Sequence, residues 1–288
     1  MANSALFQHP KKWRDTHDLF TLSFHAFHPL EILGYPHAGN DVFHVKGIYD
    51  GKEITAYVKA ARCEGAGIEN EVVILKQLDL PYIPKIIDSD FQGVPFVVTS
   101  ELPGQRLSVI LGDNTDGAAL SYMEEYGKTL GYIHTLKPNA APVSDRKFFH
   151  LPADEVLEKM DIAFLKPYFA NMPADKTTVF THGDFHYANI LWEDHHISAV
   201  LDFELSGYGD RDFDIAWALI LRPGQKFLKT QEEQQQFLKG YCKYGSYNTH
   251  AVQYYMAQIY VYFLQLCGDD PAYVEYVKRW FEENCLTS

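Results

Sequence analysis

The run His182-Gly183-Asp184-Phe185-His186-Tyr187-Ala188-Asn189-Ile190-Leu191, followed closely by Val200-Leu201-Asp202-Phe203-Glu204, constrains this chain more than any other stretch. Ile190-Leu191-Trp192 and Ile197 to Leu201 are apolar segments around the polar Glu193-Asp194-His195-His196, a pattern that predicts a tight β-hairpin. Asn189 then stands just before the hairpin and Asp202 at its far end, so an amide and an acid come to one edge. Both offer hard oxygens of the kind Mg²⁺ takes from carboxylates, amide carbonyls and phosphates. Asp184, one loop away, is placed to accept the proton of an attacking hydroxyl. Together these groups predict metal-assisted phosphoryl transfer.

The spacing H-x-D-x-x-x-x-N, with a further acid at a strand end, resembles the catalytic and metal loops of the protein-kinase-like superfamily. HGDFHYANIL followed by LDFELSGYGDRDFDIAW is most similar to its small-molecule branch, the aminoglycoside phosphotransferases with the choline and ethanolamine kinases. The resemblance implies that Asp184 is the catalytic base and that Asn189 and Asp202 hold Mg²⁺. It also implies that His182 and Asp214 support the catalytic loop. Gly183 stands where protein kinases carry an arginine that answers a phosphorylated activation loop, so activity is expected without prior phosphorylation. Glu204 replaces the glycine of D-F-G, and the short interval from Asp202 to Asp214 leaves little room for a peptide-docking segment.

The first third of the chain reads as an antiparallel sheet: Glu31 to Tyr35, Val42 to Tyr49, Glu53 to Ala60 and Pro95 to Ser100, with Asp50-Gly51 as a turn. Residues 1 to 28 read as a leading helix and connector. The loop Pro36 to Asp41 has backbone N–H groups suited to phosphate. Alternation puts Tyr57 and Lys59 on one face of a strand. In the helix predicted over Asn70 to Leu78, Glu71 shares a stripe with Ile74, Leu75 and Leu78 and points inward, whereas Glu69 lies about 200° away at 100° per residue. By resemblance, Lys59 pairs with Glu71 and contacts phosphates, and Tyr57 stacks on the nucleotide base. The same resemblance implies that the Ser100 carbonyl and the Leu102 N–H hold that base at a hinge before Pro103-Gly104.

Past the hinge the pattern becomes helical, with helices predicted at Ala118 to Leu136 and Asp154 to Phe169 and on to Asn284. His134 reads as a core or capping histidine. The tyrosine-rich end (Tyr254, Tyr255, Tyr260, Tyr262, Tyr273, Tyr276, Trp280) offers either packing or aromatic walls for a ligand, and Glu275, Glu282 and Glu283 offer contacts to amines. The expected architecture is α+β: a two-lobed protein-kinase-like fold with an antiparallel N-terminal sheet plus helix and a mainly helical C-terminal lobe. Residues 1–100 form the nucleotide-binding lobe, 101–105 the hinge and 106–288 the catalytic and substrate lobe.

At 288 residues, 47% hydrophobic and 22% charged, the composition is that of an ordinary globular protein. A formal charge of −13 disfavours nucleic acid and weakly favours a cationic partner. Four scattered cysteines, no basic-then-apolar leader and no long apolar run predict a soluble cytoplasmic protein away from the membrane. The expected activity is a Mg²⁺-dependent transfer of the γ-phosphate of ATP or GTP to a hydroxyl of a small molecule, an aminoglycoside or other cationic amino compound. A choline- or ethanolamine-type or other metabolite kinase is the alternative, and a nucleotide-binding pseudokinase is disfavoured by the intact Lys59, Asp184, Asn189 and Asp202. Neither the acceptor nor the oligomeric state follows from the sequence.

Overall fold

Asp50 and Gly51 turn the chain at positive φ (50° and 70°), joining two nine-residue strands. The computed structural model describes residues 12–36, 39–174 and 176–286. In chain order the first elements are β1 (Phe27–Gly34), β2 (Asp41–Tyr49), β3 (Lys52–Ala60), α1 (Ile68–Leu75), β4 (Ile86–Asp90), β5 (Phe96–Ser100) and β6 (Gln105–Arg106). Then come α2 (Leu107–Leu111), α3 (Leu120–Ile133), α4 (Asp154–Lys159), α5 (Lys166–Ala170), β7 (Thr178–Thr181), β8 (Ile190–Glu193), β9 (His196–Val200) and β10 (Gly207–Asp210). Four helices finish the chain: α6 (Arg211–Leu219), α7 (Gln231–Tyr241), α8 (Thr249–Cys267) and α9 (Pro271–Cys285).

The chain divides into two compact units. The first comprises Met1–Val109, Pro138–Ala140 and Asn189–Ser206; the second comprises Ile110–Lys137, Ala141–Ala188 and Gly207–Ser288. The hairpin β8–β9 therefore packs with the N-terminal unit, although the sequence boundary at 101–105 assigned it to the later lobe. It does so through β6, which pairs with β8, and through the Val200 N–H, which donates to the Tyr82 carbonyl at 2.8 Å.

In the first unit, an antiparallel sheet of order β1-β2-β3-β5-β4 buries one face. Phe27, Phe43, Val45, Ala56, Val58, Ala60, Phe96 and Val98 make its core with Leu19. Each large apolar side chain there contributes about 1.5–3 kcal/mol by leaving water. On β3, Ala56, Val58 and Ala60 are buried while Tyr57 and Lys59 alternate to the other face. Ile68, Val72 and Val97 form a smaller cluster that docks α1 on the sheet.

In the second unit, α3 and α7 approach closely because Gly127 lies against the Phe237 carbonyl and Gly240 against the Glu124 carbonyl, where any side chain would collide. Thr230 and Glu233 form a reciprocal capping box that starts α7. Tyr254, Tyr255, Tyr260, Tyr273 and Trp280 are buried, so these rings are core rather than ligand walls. Glu275, Glu282 and Glu283 are exposed.

Other departures have local causes. Residues 12–26 contain only a single 3₁₀ turn, Leu19–Thr21, in place of the expected leading helix, and residues 1–11 of that expectation lie outside the described residues. Strand β4, between α1 and β5, was not foreseen. The helix expected over Asp154 to Phe169 is broken into α4, a 3₁₀ turn at Ala163–Leu165, and α5. Asp161 takes φ +56° after α4, and Pro167 starts α5 without an N–H to continue a preceding turn.

Candidate active site

Lys59 is held on the face of β3 that α1 covers, where its Nζ meets three carboxylates. It donates to Glu71 Oε2 and Asp202 Oδ1 at 2.7 Å each and to Glu204 Oε2 at 3.3 Å. Glu71, Asp202 and Glu204 present oxygens within 4.8 Å of one another. Burial alone would lower the Lys59 pKa, but these three charges carry it above its ordinary value, so it stays an ammonium. Glu71 is only 4% exposed; burial raises its pKa, and repulsion from Asp202 and Glu204 adds to this while Lys59 offsets it. Burial likewise raises Glu204.

The backbone around these acids is fixed from two sides. Glu71 Oε1 accepts the Phe203 N–H at 3.1 Å, so α1 holds both the lysine and the peptide beside Asp202. The Asn189 carbonyl accepts the Leu201 N–H at 2.8 Å, which ties the start of the hairpin to the residue before Asp202. Asp202 itself sits at φ +68°, a left-handed conformation that costs a non-glycine residue about 1–2 kcal/mol and collects at functional positions. Asn40 Nδ2 donates to Glu204 Oε2 at 2.7 Å, linking the loop before β2 to the same cluster; His37 and Ala38 of that loop lie outside the described residues.

Tyr57 stacks on His44 of β2, with ring centroids 4.8 Å apart and planes 16° from parallel, and His44 Nε2 lies 3.2 Å from Glu101 Oε2. The Ser100 N–H donates to the Lys85 carbonyl at 2.8 Å. An open cavity of about 530 Å³ borders the segment that follows, lined by Ile54, Thr55, Glu101, Leu102, Pro103 and Gly104.

In the second unit, Asp214 on α6 braces the loop that carries Asp184. Its Oδ2 accepts the His182 N–H at 3.0 Å and its Oδ1 the Gly183 N–H at 3.1 Å. Oδ2 also lies 3.1 Å from His134 Nε2, and His134 Nδ1 lies 2.8 Å from the Tyr241 hydroxyl. Gly183 takes φ +79°, a turn that a side chain would strain. The Asp184 carboxylate accepts the Trp217 indole N–H on Oδ1 at 2.8 Å, and its Oδ2 lies 3.4 Å from His186 Nε2. Because His186 Nδ1 accepts the Ala188 N–H at 3.3 Å, its proton is assigned to Nε2, facing Asp184. Burial on its own would raise the Asp184 pKa, yet His186, Arg222 and His182 bring it down to about 2. Asp184 is a carboxylate at any neutral pH.

A family model described as the phosphotransferase enzyme family matches residues 64–255, two thirds of the chain and all of these acids. The chain belongs to the phosphotransferase enzyme family. Among curated proteins, none matches this phosphotransferase by sequence. Its fold is that of solved kinases. The aminoglycoside phosphotransferase APH(4)-Ia is 12% identical with TM-score 0.61, covering 91% of this chain and 95% of that one. A choline kinase from Cryptosporidium parvum Iowa II is 15% identical with TM-score 0.56, covering 90% and 88%. A Plasmodium vivax ethanolamine kinase is 18% identical with TM-score 0.53, covering 85% and 79%. A thermostable mutant of APH(4)-Ia has been crystallised in a ternary complex with ADP and hygromycin B.

Within this phosphotransferase, Lys59, Glu71 and Asp202 form one contact network, and Asn189 is joined to it through Leu201. His182, Asp184 and Asp214 form a second. Tyr57, Ser100 and Leu102 lie on β3, at the end of β5 and in the segment after it. Three groups escaped the sequence reading. Glu204 was visible only as a departure from D-F-G and Trp217 only as the end of the LDFELSGYGDRDFDIAW run, and no motif marks His44. Among the described residues no helix is long and apolar enough to cross a membrane.

Proposed function

We propose that this phosphotransferase moves the γ-phosphoryl group of ATP or GTP to a hydroxyl of a small molecule. The observation that carries the reading is Asp184: a carboxylate kept ionised, with the two residues before it held by Asp214 and its own side chain by Trp217. Asp184 orients the acceptor hydroxyl and takes its proton as the new oxygen–phosphorus bond forms. The bond from the γ-phosphorus to its bridging oxygen breaks, and its electrons leave with the nucleoside diphosphate. Lys59, a permanent ammonium, offsets charge on the phosphates, and Glu71 fixes its position. Tyr57 with His44 supports the base, and the Ser100 carbonyl and Leu102 N–H hold its edge.

Asn189 and Asp202, joined by Glu204, are suited to Mg²⁺. The clustered carboxylates are hard oxygen donors whose charge exceeds that of the one ammonium among them, which is the chemistry such an ion takes. When bound, Mg²⁺ neutralises phosphate charge as it develops. The −13 charge supports a cationic acceptor through long-range attraction. Four free cysteines and the need for nucleotide support a reducing, cytoplasmic setting.

A coupled assay for ADP release over a panel of aminoglycosides, amino alcohols, sugars and hydroxy amino acids tests the reading. Acceptor-dependent release that is lost in Asp184→Ala is expected. Release that no member of the panel stimulates, or that survives this substitution, contradicts it.

A further inference from the structure

We infer that Trp217 is a positioning residue that sets the orientation of the Asp184 carboxylate, and that the buried Arg222 holds Trp217 in place. The inference rests on the reading of Asp184 as the base. Asp214 and Trp217 are three residues apart on α6 and so share a helix face. The first fixes the backbone of the catalytic loop; the second fixes the side chain within it, through the 2.8 Å hydrogen bond from Nε1 to Oδ1.

The indole is confined on several sides. Phe148 stacks on it with centroids 4.5 Å apart and planes at 27°. The Arg222 guanidinium lies 5.0 Å from its ring centroid, and Arg222 Nη2 donates to the Trp217 carbonyl at 2.9 Å. Arg222 is itself locked: its N–H donates to Gln225 Oε1 at 3.2 Å, and Gln225 Nε2 donates to the Phe227 carbonyl at 2.7 Å, with both side chains buried.

A buried guanidinium is costly unless it is paired, and Arg222 makes no carboxylate ion pair among the described residues. Burial pushes its pKa down, with Asp184 among the groups opposing that. A leucine or methionine would fill the same space without this penalty. The cation has two effects that an apolar side chain lacks. Set against the indole π-system, it draws electron density from the ring and strengthens the N–H as a donor. Its charge also favours the ionised form of Asp184. The fold thus carries a destabilising group where it serves the carboxylate that takes the proton.

The test measures ADP release from Mg-ATP with water as acceptor, in the parent, Trp217→Phe, Asp184→Ala and the double variant. Trp217→Phe is expected to lower kcat by about 10- to 100-fold while the KM for ATP stays within twofold, as a small misplacement of a reacting group does. In the Asp184→Ala background the same change is expected to alter the residual rate by less than twofold, because its effect passes through Asp184. Replacing Trp217 by 3-benzothienylalanine keeps the bicyclic ring and removes only the N–H, so it reads the hydrogen bond even if phenylalanine loosens the fold. A kcat within twofold of the parent for that analogue, or an equal loss in both backgrounds, overturns the inference. Near-parent release by Asp184→Ala alone instead overturns the reading of the base on which it rests.

Discussion

Lys59 Nζ lies 2.7 Å from Asp202 Oδ1, although 143 positions separate the two residues. This contact turns a strand lysine and a post-hairpin acid into one electrostatic unit, with Glu71 and Glu204 as its other members. Among the described residues one ammonium faces three carboxylates, so the unit is stable only while that cation, or another, is present.

Lys59→Met is therefore expected to lower stability by about 2–3 kcal/mol, less than for a fully dry pair because Asp202 and Glu204 are partly exposed. Added Mg²⁺ is expected to recover part of the loss. Thermal unfolding with and without MgCl₂ measures both, and a Tm that neither falls on substitution nor responds to the ion contradicts the unit.

Asp214→Ala leaves the buried His182 and the loop N–H of Gly183 without their acceptor and releases His134 as well. Loss of a charged acceptor from several buried donors costs about 3–5 kcal/mol, and Asp214→Asn, which keeps one acceptor oxygen, costs less. Urea unfolding of the two variants gives the order; equal or negligible losses contradict the bracing role.

The pH dependence follows from the sign of the Asp184 shift. Its folded pKa, about 2, lies below the usual 3.8, so the stability it contributes is complete above that usual value and is lost as pH falls through the folded one. Between pH 5 and 9 it stays ionised, so kcat should show no acid limb from this group. A kcat that follows the titration of a single carboxylate near pH 5 to 6 and vanishes in Asp184→Asn contradicts the shift.

Gly127→Val is expected to separate α3 from α7, because its side chain would meet the Phe237 carbonyl. Overpacking of this kind costs about 1–3 kcal/mol or more. A denaturant midpoint equal to that of the parent contradicts the close approach.

Much of the fold was legible because its signals are local. The β8–β9 hairpin shows as two apolar runs around a polar turn, and Asp194 and His195 do take the positive φ of such a turn, 47° and 63°. Helical phase separated Glu71 from Glu69, and only Glu71 reaches Lys59, while Glu69 is exposed. What escaped depends on distant partners or on single backbone angles. Trp217 reads as one more apolar helix residue until Asp184 is seen at its indole nitrogen. Nothing in the sequence around Arg222 signals that it is buried. The break after α4 hangs on the φ of Asp161, and periodicity carries no trace of it.

The most direct test is transfer of label from γ-labelled ATP in the presence of Mg²⁺ and the acceptor panel, comparing the parent with Asp184→Asn after size separation. Label in the low-molecular-weight acceptor with the parent, reduced at least about 100-fold in the variant, is the expected result. Equal transfer by both proteins, or label appearing only on macromolecules, would contradict it.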